Sequence, residues 1–368
     1  MKRTISLMLI LAMCCCLLAG CGKGSSAGSI SGSDYNCSLD SVIDPDSCIN
    51  PLTGEAASKG DFDPDSRPYC VMINNVPDAR PSMGLSNASM IYECIVEGGI
   101  TRLMAVFNDL SGIDVGYVRS ARSYYASLCK SYDGVYVHWG SSGSTTENNA
   151  EFCKANGIPD MDANVGAFAG QRNQARIDAG KAIEHTAYFH GSDAVSAAEN
   201  NGYTEHASGY DSTYGLLFSE EAAKQCTSSA KDFTVLYSGN SACNFSTNFA
   251  YDEGSGLYKV SMNKGGSDYS EYIDEAGGSI RFKNVIVLSV NVNDTNDDKG
   301  HVAMNFVGSG TGYFCCGGNC VEINWSRDSI SSPFHYTLAD GSNLALGVGK
   351  TYVSVCDLSG RSSISWNA

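Results

Sequence analysis

Basic side chains are scarce in this sequence: 24 lysines and arginines face 40 aspartates and glutamates across 368 residues, a net charge of −16. Such a balance repels phosphate polymers, which excludes nucleic acid as a partner of the overall surface and makes anionic lipid a poor match. Long apolar runs are missing as well. The N-terminal one, Ile5 to Leu18, falls short of the roughly 20 residues a membrane-crossing helix needs. Catalytic signatures are also lacking: there is no Gly-x-Ser-x-Gly elbow between a strand and a helix, no His-Glu-x-x-His pair and no Walker loop. The run Gly308-Ser-Gly-Thr-Gly312 is no nucleotide fingerprint, because it lies between strand patterns and opens no helix. No cofactor is implied.

What is present begins with an address. Lys2 and Arg3 precede the apolar run, which ends in Leu18-Ala19-Gly20-Cys21, small residues directly before a cysteine. This resembles a bacterial lipobox, so residues 1–20 are expected to be a lipoprotein signal peptide and Cys21 the lipidated residue. The resemblance implies cleavage before Cys21 and a diacylglyceryl group on its sulfur. Each buried methylene of that anchor is worth about 0.8 kcal/mol, which holds the chain to the outer face of the cytoplasmic membrane. Loss of Lys2 and Arg3 leaves 22 basic against 40 acidic side chains, a mature charge of −18. Residues 21–64, rich in Gly, Ser and Asp, read as a flexible tether in which only Asn50-Pro-Leu-Thr-Gly54 looks like an ordered entry segment.

Twelve of the 16 cysteines remain beyond Cys21. An even count outside the cytoplasm permits disulfides, with Cys37/Cys48 and Cys226/Cys243 reasonable pairs, although spacing alone does not give connectivity. Cys315-Cys316-Gly-Gly-Asn-Cys320 lacks the second pair or nearby histidine of a zinc site, which leaves a disulfide or free thiols at a hairpin tip, and no metal is expected.

From Arg67 the pattern turns to short strands, 69–74, 90–96 and 101–107, the last two joined at Gly98-Gly99. Tyr124, Tyr125, Leu128 and Tyr132 fall on one helix face, Val135-Tyr-Val-His138 reads as a buried strand, and 145–155 and 192–200 read as helices. The alternation predicts an α/β domain with a mixed sheet and flanking helices over 65–218. A polar, alanine-rich linker spans 219–231. Residues 232–358 carry short alternating runs separated by turn signals such as Asp252-Glu-Gly and Asp340-Gly, which predicts a mostly antiparallel β domain; 359–368 form a tail. The fold class is therefore α+β in two domains.

Several motifs, in order, carry a family resemblance: Asn50-Pro-Leu-Thr-Gly54, Arg67-Pro, Met72-Ile-Asn-Asn75, Ala79-Arg-Pro81, Tyr92-Glu, Val96-Glu-Gly-Gly-Ile-Thr-Arg102, Val118-Arg-Ser-Ala-Arg122, Val137-His138, Glu184-His185, Tyr251-Asp252, Asn284-Val285, Gly308 to Gly312, Trp325 and Gly349-Lys-Thr. Over nearly all of the mature chain the sequence resembles the DUF3048 family, the YerB-like bacterial lipoproteins. That resemblance implies an N-terminal and a C-terminal domain and gives no chemistry. One position departs: where the family has a proline before its second histidine, this chain has Glu184.

The densest set of chemical side chains is Arg119-Ser120-Ala-Arg122, followed by His138 and the Gly140-Ser-Ser-Gly143 turn. Arg119 and Arg122, three apart where a loop enters a helix, would share a face of its first turn and suit a carboxylate or phosphate. Alternatively they pair internally with Glu93, Glu97 or Asp133. His138 lies at a strand end, where it would be a general acid or base with Ser120, Ser141 or Ser142, or a satisfied structural residue. His185, with Arg176 and Glu184, forms a second polar knot. Glu97 either serves glycan chemistry or orders its turn. Arg119, Ser120, Arg122, His138 and His185 are thus the candidates, supported by Glu97, Arg102, Asp133 and Arg176. The leading reading is a lipid-anchored envelope protein that binds an anionic cell-wall ligand. An envelope hydrolase or transferase acting on a glycan or phosphate-bearing polymer, and a structural interaction module, are its rivals.

Overall fold

The structure, a computed structural model, describes residues 47–60, 63–142, 148–238, 244–263 and 268–367, all within one compact unit. The signal peptide, Cys21, most of the tether, Cys37, Cys243 and the start of the 145–155 helix lie outside the described residues.

Continuous apolar runs make the centre of the molecule. Tyr69–Asn74, Met90–Ile95, Thr101–Phe107 and Thr351–Cys356 are buried at every position, as strands covered on both faces must be. They belong to an eleven-stranded mixed sheet. Its middle runs Gly308–Cys316, Asn284–Ser289, Thr351–Cys356, Met90–Ile95, Thr101–Phe107, Tyr69–Asn74 and Val135–His138. Thr351–Cys356 pairs in parallel with Asn284–Ser289 on one side and Met90–Ile95 on the other, so the two parts read from the sequence share one sheet. The fold is α+β, with a mixed N-terminal arrangement and a mostly antiparallel C-terminal one.

On one face a six-stranded antiparallel sheet, which includes Asp232–Leu236, Ser246–Asp252 and Leu257–Asn263, covers a core of Phe233, Phe249, Tyr258, Val285 and Tyr352. On the other face the helices Ser123–Lys130 and Asn149–Ala155 pack Tyr125, Leu128 and Cys153 against Tyr92, Met104 and Tyr136. The second of these helices is capped by the Asn148 side chain, which accepts from Glu151 N at 3.2 Å. Two further helices, the short Gln174–Asp178 and the longer Gly191–Asn200, follow among the described residues.

Three stretches depart from the sequence reading. Order begins before Asn50, because Ser47–Ile49 pairs with Ala56–Ser58 and sets Leu52 and Thr53 fully into the core. The linker is packed structure: Ala222 is buried and Ser228–Ser229 pairs with Asn319–Arg327. The tail is a strand, Ser363–Asn367, whose Trp366 lies 5.0 Å from Phe233 and 5.3 Å from Tyr313. In each case a few well-placed apolar side chains outweigh a polar composition.

Candidate functional site

The site sits where Tyr69–Asn74 and Val135–His138 end together, and the segment between Val118 and Arg122 is laid across them. Arg119 N donates to Met72 O (3.0 Å), Trp139 N to Arg119 O (3.2 Å), Ala121 N to Gly140 O (2.9 Å) and Arg122 N to the Tyr136 hydroxyl (3.1 Å). These bonds hold the arginine segment extended. The helix begins only at Ser123. Arg119 and Arg122 are therefore not on one helical face, as the spacing predicts; they diverge from an extended chain, one inward and one outward.

Arg122 turns in. With only 3% exposure, it engages Glu97 through Nε to Oε2 (3.1 Å) and through Nη2 to Oε1. Arg102, equally buried, reaches Glu97 Oε1 (2.7 Å) and the Ser120 carbonyl (2.9 Å). Burial works against ionisation of Glu97, but the charges of Arg102 and Arg122 outweigh it and bring its carboxyl down to about 2. For this arginine the internal ion pair is what the fold contains.

Arg119 turns out. Among the described residues its guanidinium has no hydrogen-bond or ion-pair partner. Burial lowers its basicity; Glu184 and Glu97 act the other way, and Arg122 adds to the lowering. Beside it lies Arg172, absent from the sequence reading. Its guanidinium stacks 4.4 Å over the Trp139 ring and donates to Ile183 O (2.5 Å). Burial and then the Arg119 charge lower its basicity, and Glu184 opposes them, so Arg172 lies within the field of Arg119. Gly170 also lies against Trp139, where an added Cβ would come within 2.2 Å of the ring. The Trp139 Nε1–H is buried without a partner.

His185 flanks this pair. Asn74 Nδ2 donates to His185 Nδ1 (3.0 Å) and to Glu184 O (3.3 Å), so the His185 ring proton sits on Nε2. Burial holds His185 below its usual value; Glu184 opposes this and Arg119 reinforces it.

His138 ends its strand, as the sequence predicts, and is closed off from solvent there. It is 1% exposed, with Nδ1 2.9 Å from Gly140 O and Nε2 2.7 Å from Asp160 Oδ1. A carbonyl only accepts, so Nδ1 carries a proton, and the second nitrogen is committed to a carboxylate. The ring fixes the Gly140 turn. Asp133 is not brought to the site. It lies before the opposite end of that strand, bound to Arg67 (3.0 Å) and Lys130 (2.8 Å). Arg176 forms a separate bracket, 4.0 Å over the Tyr117 ring, that binds Glu275 (2.9 Å) and Asp78 O (2.8 Å).

Glu93, which the sequence offers as an ion-pair partner for the arginines, is instead a buried hub of neutral donors, with no ion pair to an arginine among the described residues. It is 1% exposed and accepts from Asn75 Nδ2 (3.1 Å) and Thr101 (2.7 Å) on one oxygen, and from Tyr237 (2.6 Å), Thr247 (2.7 Å) and Tyr352 (2.5 Å) on the other. No pattern of spacing announces it, since its donors come from five separate segments.

A mixed sheet assembled from an N-terminal and a C-terminal part, with a buried carboxylate between them and an arginine cluster at one end, defines a two-part α+β protein with few helices. The chain belongs to the DUF3048 family: the family's N-terminal domain, described as a protein of unknown function, matches residues 52–204, and its C-terminal domain matches residues 233–353. It is 29% identical over 300 residues to "Putative lipoprotein YerB" of Bacillus subtilis, a match covering 81% of this chain and 84% of that protein. The crystal structure of YerB superposes with a TM-score of 0.68 at 26% identity, covering 86% of this chain and 99% of that one. No helix among the described residues is long and apolar enough to cross a membrane.

Proposed function

We propose that the protein is an envelope lipoprotein, held by Cys21 on the outer face of the cytoplasmic membrane, that binds an anionic cell-wall fragment at Arg119 and Arg172. The observation that carries this reading is the pair itself. Two neighbouring guanidinium groups, in a chain with a large acidic excess, have no carboxylate bound to them among the described residues. A phosphate or uronate would relieve their repulsion and accept bidentate hydrogen bonds. His185 and the unpartnered Trp139 N–H flank the same place and offer further neutral donors. The name of the Bacillus subtilis relative supports the anchor. A hydrolase or transferase would rely on His138 as its proton carrier, and that ring is committed at both nitrogens.

Titration calorimetry of the purified protein with inorganic phosphate, glucuronate and muropeptides tests this. The Arg119→Gln/Arg172→Gln variant is expected to lose at least about tenfold in affinity, with stability changed by less than about 1 kcal/mol, because neither arginine closes an internal ion pair. Equal binding by parent and variant, or none by the parent, rejects the site.

A further inference from the structure

The strands Gly308–Cys316 and Asn319–Arg327 turn through Gly317 and Gly318, at φ 64° and 78°. Two positive angles in succession mark a type I′ hairpin turn. The register pairs Cys316 with Asn319 and Cys315 with Cys320. In such a hairpin the pair beside the turn exchanges hydrogen bonds and the next pair outward does not. The backbone agrees: the Cys320 carbonyl accepts from Thr227 N (3.0 Å) on the opposite flank, so it points away from Cys315. Partners of this kind stand about 4.5 Å apart at Cα, within the roughly 4.4–6.8 Å window of disulfides.

Side-chain placement selects the same pair. Cys315 and Cys320 both enter the core between the two sheets, whereas Cys316 and Cys226 face the opposite core. The Cys315 thiol hydrogen-bonds to Cys320 and draws it below its usual value in spite of burial; burial, and then the same bond, push Cys315 up. Cys320 is also the more accessible, 5% against 0%.

We propose that Cys315 and Cys320 form a redox-active dithiol that closes to a cross-strand disulfide on meeting a small-molecule disulfide. Cys320, as thiolate, attacks one sulfur of the oxidant, forms a mixed disulfide and expels a thiolate that takes up the proton Cys320 gave. Cys315 then attacks Cys320 Sγ, its proton passing to the second departing thiolate. Two protein thiols lose two electrons and one external disulfide becomes two thiols.

The test is to incubate the purified full chain with oxidised glutathione, alkylate the remaining thiols, digest and map by mass spectrometry. The peptide spanning 315–320 is expected about 2 Da lighter, for the two hydrogens lost, with Cys316 alkylated, and Cys316→Ser should behave the same way. Cys315→Ser is expected to stall with glutathione on Cys320, and Cys320→Ser to stay reduced. Alkylation of both Cys315 and Cys320 in the native parent, or a Cys316–Cys320 link, overturns the assignment. The parent map decides the matter even if a serine variant misfolds.

Discussion

Glu93→Ala is expected to destabilise the protein by about 3–5 kcal/mol, as loss of one partner from a buried charged network does. The reason is the number of groups left behind. Five donors converge on this carboxylate, two from the N-terminal part and three from the C-terminal part, and all are out of reach of bulk water. Tyr237 has a second partner in Ser354 (2.7 Å) and Asn75 has one in Thr101 (2.8 Å); among the described residues Tyr352 and Thr247 have no other side-chain bond. Among the described residues no cation touches the carboxylate, although Arg80, bound to Asn75 O and Asn263 O, feels its charge. Glu93→Gln should cost less, about 1–3 kcal/mol, because the tyrosine and threonine hydroxyls rotate to accept from an amide. Urea unfolding at pH 7 provides the measurement; a loss below about 1 kcal/mol for the alanine variant would show that water replaces the carboxylate.

Acid should act through Glu97. Its carboxyl titrates at 4.5 when exposed and at about 2 in the fold, where the charges of Arg102 and Arg122 overcome burial. The unfolded chain therefore holds more protons between those values. The contribution is complete above about pH 4.5 and disappears as pH falls towards 2, amounting to about 3 kcal/mol. Asp133, also depressed, adds a further loss over the acid range. Glu97→Gln separates the two. At pH 7 it strands two buried guanidinium groups beside each other and is expected to cost about 3–5 kcal/mol. By pH 2 most of the gap between parent and variant should have closed. A gap that stays constant from pH 7 to pH 2 would mean that Glu97 is not ionically coupled to its arginines.

How much of this was readable in the sequence depends on how local the cause is. Tyr69–Asn74, Thr101–Phe107 and Val135–His138 agree with the sequence reading at both ends, because continuous apolar runs bounded by turn residues are a local signal. The interior role of Arg122 against Glu97 was one of two open readings; side-chain direction decides it, and direction follows from three backbone hydrogen bonds, to Met72, Trp139 and Gly140, and a fourth to the Tyr136 hydroxyl. Arg172 could not be found, since it stands on a two-residue strand whose only distinction is its place beside Arg119. Tryptophan is the one cue, because Trp139 directly follows His138 and is one of only three in the chain. The tail became a strand for a similarly distant reason: Trp366 needs Phe233 and Tyr313 as neighbours.

The position of Thr351–Cys356 bears on how the molecule is made. Synthesis delivers Met90–Ile95 early and its parallel neighbour almost last, so one edge of that strand waits unpaired while most of the chain is produced. Contacts this distant in sequence fold slowly, and the waiting edge is open to mispairing. A premature stop shortly before residue 351 would therefore remove far more than a C-terminal strand. It would leave Asn284–Ser289 and Met90–Ile95 without the strand between them and the Glu93 carboxylate without Tyr352.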